Sequence, residues 1–163
     1  WLSETPDTIS VGWDASMERI CTYGLFKNKE NDQTFWVFNT HFDHRGHLAR
    51  EKSTELIIKT INRLNKEKHP VILTGDFNLT PETSSIELLQ KNLHDAQGAL
   101  PKTDPFYGTT NGFGNLKNAG HRIDYVFTKK IEVKSAKHLY KKTPLDGWAS
   151  DHHAVVATLE LIE

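Results

Sequence analysis

A single cysteine, Cys21, is all the thiol chemistry that the 163 residues carry, which excludes an intrachain disulfide and a structural zinc site built on cysteines. Excess charge is missing too: 20 Lys and Arg against 21 Asp and Glu leave a net charge of −1. No global basic field would draw this chain onto nucleic acid, so any recognition of phosphate has to be local. Hydrophobic residues make up 37%, and no apolar run approaches the roughly 20 residues of a helical membrane span. That excludes a chain embedded in a bilayer through helices and leaves a soluble globular composition. Repeats, low-complexity segments and linkers are absent, and residues 1–163 suit one domain able to bury roughly two thirds of its unfolded surface. The opening Trp1-Leu2-Ser3-Glu4-Thr5-Pro6 has no initiator Met, no charged n-region and no apolar h-region. It reads as the interior of a longer chain.

What is present is a series of short β-branched and aromatic runs that end in polar residues. In Val71-Ile72-Leu73-Thr74-Gly75-Asp76-Phe77-Asn78, apolar residues seat a buried strand and Gly75 relaxes its end. Strand alternation then predicts that Asp76 and Asn78 project into one space. Arg19–Lys27 and Thr34–Thr40 are expected to form a hairpin across the polar turn Asn28–Gln33. Arg45–Asn65 carries Ile57, Ile61 and Leu64 at helical spacing among charged residues and predicts a helix, stopped by His69-Pro70. A second helix is expected from an N-cap at Thr80, with Pro81 in its first position, to about Asn92. Asp104–Gly120, rich in Gly, Thr, Asn and aromatics, reads as a long loop of the kind that often carries function. Arg122–Thr128, Ile131–Leu139 and Ala154–Ile162 read as further strands. The basic cluster Lys137–Lys142 reads as a solvated edge.

Polar side chains emerge where strands end at Asn39-Thr40-His41, Asp76-Phe77-Asn78, Arg122-Ile123-Asp124-Tyr125 and Ser150-Asp151-His152. Each alone is cheap to explain as structure: a surface histidine, a turn-forming Asp and Asn, an ion pair, a capped turn. Their order and spacing together are not. Asn39-Thr40-His41-Phe42-Asp43, Gly75-Asp76-Phe77-Asn78, Arg122-Ile123-Asp124-Tyr125 and Ser150-Asp151-His152 resemble the successive motifs of the endonuclease/exonuclease/phosphatase superfamily, which has the deoxyribonuclease-I-like fold. The resemblance covers essentially the whole chain and only the C-terminal part of that family's domain.

It implies an α/β fold, a layered sandwich of two mixed or antiparallel sheets flanked by helices, incomplete here at its N-terminus. It also implies divalent-metal-dependent hydrolysis of a phosphoester, a phosphodiester in the first instance, with Mg²⁺ or Mn²⁺ held by hard oxygen ligands. By this resemblance His152 is the base or phosphate contact, oriented and kept basic by Asp124. Asp76 and Asn78 position the nucleophilic water, Asp151 helps to hold metal, and His41 contacts the phosphate or protonates the leaving group. Arg45 reads as a solvated helix start. The family's upstream Asn and its metal-ligating Glu have no counterpart in Trp1–Arg19, so weak or absent activity is expected of this polypeptide alone. A catalytically incomplete phosphate-binding module is the competing expectation. Thr40-His41-Phe42-Asp43-His44-Arg45-Gly46 is also similar to the zinc signature of the metallo-β-lactamase fold. There Asn39 stands where a metal-binding His belongs, and Asn78, Asp124, Asp151 and His152 go unexplained.

The partner implied is a phosphoester, whether nucleic acid or a smaller phosphodiester, and Trp13, Phe106, Tyr107, Phe113 and Trp148 offer stacking surfaces. Trp1–Pro6 with Gly12-Trp13-Asp14 also looks like a bacterial branch of the superfamily, in which export is one reading and the compartment stays open.

Overall fold

The computed structural model describes residues 1–115, 117 and 119–162. Its centre is a mixed five-stranded sheet in the order β1-β2-β3-β5-β4, made of β1 (Cys21–Lys27), β2 (Thr34–His41), β3 (Val71–Asp76), β5 (Asp124–Lys129) and the two-residue β4 (His94–Asp95). β1 and β2 form the expected hairpin, with Asn28 N–H closing the turn on the Gln33 carbonyl at 2.8 Å. β2 and β3 run parallel through the crossover helix α1 (His47–Leu64), and β5 pairs antiparallel to β3. β6 (Ile131–Leu139) and β7 (Ala154–Leu161) make a separate antiparallel pair that meets the main sheet along β5. This is the layered α/β arrangement the sequence implies, with one sheet mixed and one antiparallel. No helix among the described residues is long and apolar enough to cross a membrane.

Helical periodicity puts Ile57 and Ile61 of α1 on Phe38 and Leu73 of the sheet, and Ile86 and Leu89 of α2 (Ser84–Asn92) extend the same core. At its middle lies Phe77, fully buried, with ring centroids 4.9 Å from Phe42, 5.6 Å from Tyr125 and 5.5 Å from Phe127. Burial of each such ring contributes about 1.5–3 kcal/mol. Because Phe77 lies between Asp76 and Asn78, the core fixes the backbone of the chain's most polar strand end.

The structure corrects several local expectations. The second helix starts at Ser84, not Pro81, because Thr80 accepts from the N–H of Thr83 at 3.1 Å and from its Oγ1 at 2.9 Å, closing a turn ahead of the helix. The last central strand begins at Asp124, not Arg122. The Arg122 guanidinium is instead buried against Asp95 at 2.5 Å. Gly46 cannot cap α1 with a side chain, and Asp14 does so from a distant loop, accepting from Ala49 N–H at 2.6 Å and Leu48 N–H at 3.2 Å. The Ala49 bond above all lowers the Asp14 carboxyl below its ordinary value. A Cβ on Gly46 would sit 2.6 Å from Asp14 Oδ1, so only glycine admits this cap.

Candidate active site

The site starts from strand register. His41 is paired with Asp76, and Asp76 with Asp124, so the ends of β2, β3 and β5 set three polar side chains in one row across adjacent strands. Neighbouring strands lie about 4.8 Å apart. His41 Nε2 accordingly lies 3.4 Å from Asp76 Oδ2. Such close strands require Gly75: its φ is +148° and a Cβ there would run into the Thr40 carbonyl oxygen.

His152 enters from the other layer, on the segment leading into β7, and its Nδ1 bonds Asp124 Oδ2 at 2.8 Å. Ligand atoms of Asp76, Asp124 and His152 all lie within 4.8 Å of one another. With His41, Asn39 and Thr74 they line a cleft of about 620 Å³. The Asp124 hydrogen bond raises the His152 imidazole above its ordinary value, and the negative charges of Asp124, Asp76 and Asp151 act in the same direction. Burial raises Asp76, and the like charge of Asp124 adds to it. Two carboxylates pressed together with no lysine or arginine between them form an oxygen-rich set that suits a hard divalent cation. Asp76 and Asp124 would hold it, with His152 within reach.

The remaining expected site residues are placed differently. Asn78 is not delivered by strand alternation, because β3 has already ended at Asp76 and Asn78 takes a left-handed φ of 50°. Its N–H donates to Asp76 Oδ1 at 2.8 Å and its side-chain amide to the Phe42 carbonyl at 3.0 Å, bracing both the Asp76 carboxylate and the turn after His41. Asp151 lies outside the cluster of Asp76, Asp124 and His152: it is exposed, and its carbonyl accepts from Asn111 N–H at 2.7 Å and Gly112 N–H at 3.0 Å. Arg45 is exposed just ahead of α1. Asp43 is buried and accepts from Arg45 N–H and Gly46 N–H, both at 2.8 Å, and from Ser16 Oγ at 2.8 Å. Burial alone would raise this carboxyl, but the bonds from Gly46, Arg45 and Ser16 hold it well below the usual carboxylate range. Asn39 belongs to the motif around His41 but was given no role, and its Oδ1 accepts from Thr74 Oγ1 at 2.9 Å beside the cleft. Thr109–Asn111 is a group that no motif announces; the length and composition of its loop were the only signal.

Comparison with known proteins agrees with the fold described above. Over its whole length the chain superimposes on an endonuclease/exonuclease/phosphatase family protein from Bacteroides thetaiotaomicron with a TM-score of 0.88 and 34% identity, covering 63% of that chain. A second structure from the same organism, described as the mannosyl-6-phosphatase Bt3783, matches 98% of this chain and 63% of its own with a TM-score of 0.85 and 35% identity. The uncharacterized protein L388 of Acanthamoeba polyphaga mimivirus is 31% identical over 140 residues, which are 80% of this chain and 52% of the viral protein. This chain thus spans less than two thirds of the length of each of these relatives. Residues 5–152 match the Endonuclease/Exonuclease/phosphatase family, and the chain belongs to it.

Proposed function

We propose that this chain carries the greater part of the catalytic site of a divalent-metal-assisted phosphoester hydrolase. Members of the family hydrolyse phosphoesters. The observation that carries the proposal is the 2.8 Å bond from His152 Nδ1 to Asp124 beside the paired Asp76. Asp124 fixes the imidazole with its proton on Nδ1, which leaves the Nε2 lone pair as the base. Water attacks phosphorus, its proton passes to Nε2, and the P–O bond to the leaving oxygen breaks. Asp76 orients the water, Asn78 holds Asp76 in place, and His41 faces the phosphate or protonates the departing oxygen. A bound Mg²⁺ or Mn²⁺ supplies charge neutralisation at the phosphate. Asp151, next to His152 in the chain, would add its negative charge near such an ion.

The relative at 35% identity described as a mannosyl-6-phosphatase makes a sugar monophosphate the first substrate to test. A phosphodiester is the second reading, favoured by Phe113, whose 66%-exposed ring stands on the loop bonded to Asp151 and offers a stacking surface. The experiment measures hydrolysis of mannose 6-phosphate and of bis-p-nitrophenyl phosphate, with Mg²⁺ or Mn²⁺ and again with EDTA. Both this chain and an N-terminally extended form are assayed. Metal-stimulated turnover that EDTA abolishes, in either form, is the expected result. No turnover of either ester by either form overturns the proposal in favour of a binding role.

A further inference from the structure

Thr109 takes no part in the chemistry proposed above, yet it is bonded to the segments that carry it. It is fully buried. Its Oγ1 donates to the His121 carbonyl at 3.2 Å and accepts from the backbone N–H groups of Ile123 at 3.0 Å and Asp124 at 3.2 Å. A hydroxyl has one proton to give and two lone pairs to fill, so this one is saturated. The Thr109 carbonyl accepts from His153 N–H at 2.7 Å, and the Ile123 carbonyl accepts from Phe77 N–H at 2.9 Å. One residue therefore grips the backbone of Asp124 directly, that of the residue after His152 directly, and the Asp76–Asn78 segment through Ile123. The flanking residues extend the grip: Thr110 forms a β-bridge with His152, and the Asn111 side-chain amide donates to the Ser150 carbonyl at 3.1 Å.

We infer that Thr109 is a positioning residue that sets the Asp124–His152 hydrogen bond, and the inference rests on the reading of that pair given above. Asp124 belongs to the central sheet and His152 to the approach to the other one, so their separation depends on how the two layers are held. Asp124 has its N–H on the Thr109 hydroxyl, while the residue after His152 has its N–H on the carbonyl of the same threonine. Movement of either layer is thus referred to a single residue. Valine at this position keeps the shape of threonine and strands the Ile123 and Asp124 N–H groups without an acceptor, whereas serine keeps the acceptor.

The test is the ¹⁵N spectrum of the imidazoles in the full chain at a pH where His152 is neutral, with circular dichroism as the check on folding. Wild type is expected to show His152 as a single tautomer protonated on Nδ1. Thr109→Val is expected to lose that signature, both ring nitrogens moving towards the averaged shift of a free imidazole, and Thr109→Ser to restore it. A folded Thr109→Val protein with an unchanged Nδ1 shift overturns the inference. If the valine variant does not fold, hydrogen exchange of the wild type decides: slow exchange of the Ile123, Asp124 and His153 amides supports the clamp, and exchange as fast as in exposed loops overturns it. A tautomer shift without any change in turnover of an active form leaves the positioning intact and overturns the catalytic reading of the pair, so the two failures are distinguishable.

Discussion

Within this chain, which spans less than two thirds of the length of its relatives, the two sheets are covered to different extents. In the central sheet Phe38, Leu73 and Phe127 are fully buried beneath the helices, whereas β7 contains no buried residue and its inward side chains Val155, Ala157, Leu159 and Leu161 are only half covered. β6 buries only Ile131 and His138, and carries a bulge between Val133 and Ser135. Asp76 and Asp124 come from the more buried layer, His152 from the approach to the less covered one. A hydrogen bond of fixed length across that junction needs struts, and the loop from Thr109 to Asn111 supplies them. Within this chain, packing and chemistry are therefore unevenly shared: the less covered layer leads from the imidazole on which the proposed chemistry depends.

The largest expected effect lies at that junction. His152→Ala in an active form should lower kcat/KM by about 10²–10⁴-fold, the usual share of a positioned acid or base, and leave the melting temperature nearly unchanged. A loss within threefold would remove His152 from the role proposed. Next comes Phe77→Ala, which opens the densest part of the core and should cost about 3–5 kcal/mol in urea unfolding. Leu159→Ala, on the half-covered face of β7, should cost about 1 kcal/mol or less. Equal losses at Phe77 and Leu159 would dissolve the contrast between the layers. Smallest is the pH effect. Asp124 raises the folded-state value of His152 above the ordinary 6.5, so the stabilisation from this pair is complete below the unfolded value. It fades as pH climbs through the folded value. Thermal melts from pH 6 to 9 should show a decline that His152→Ala removes, and a flat wild-type profile would deny the coupling.

The sequence discloses what side chains do at strand ends and hides what backbones do elsewhere. His41 and Asp76 were legible because apolar runs stop at them, and Asp124 and His152 because runs begin at or just after them; the same runs gave the strands, while their order and the β6–β7 pairing came from the structure. Asn78 was legible as a residue and not as a geometry, since a left-handed turn after Gly75-Asp76 leaves the same letters as a strand continuing. Asp14 caps a helix 35 residues away in the chain, and that pairing has no local trace. Thr109 works through its hydroxyl and its carbonyl on distant amides, so no spacing rule points to it. Asp151 matched by motif, while its position depends on Asn111 and Gly112, whose contact with it comes from folding alone.

The buried carboxylate of Asp43 ties Ser16 and Arg19 to the turn ahead of α1. On a ribosome the partners leave in the unfavourable order: Ser16 and Arg19 emerge 27 and 24 residues before their acceptor. Until Asp43 is free of the exit tunnel, Ser16 and Arg19 lack this acceptor and the segment that carries them has no tie to the turn ahead of α1. Its attachment is therefore an event of synthesis timing, one that waits until Asp43 and the turn after it have left the ribosome.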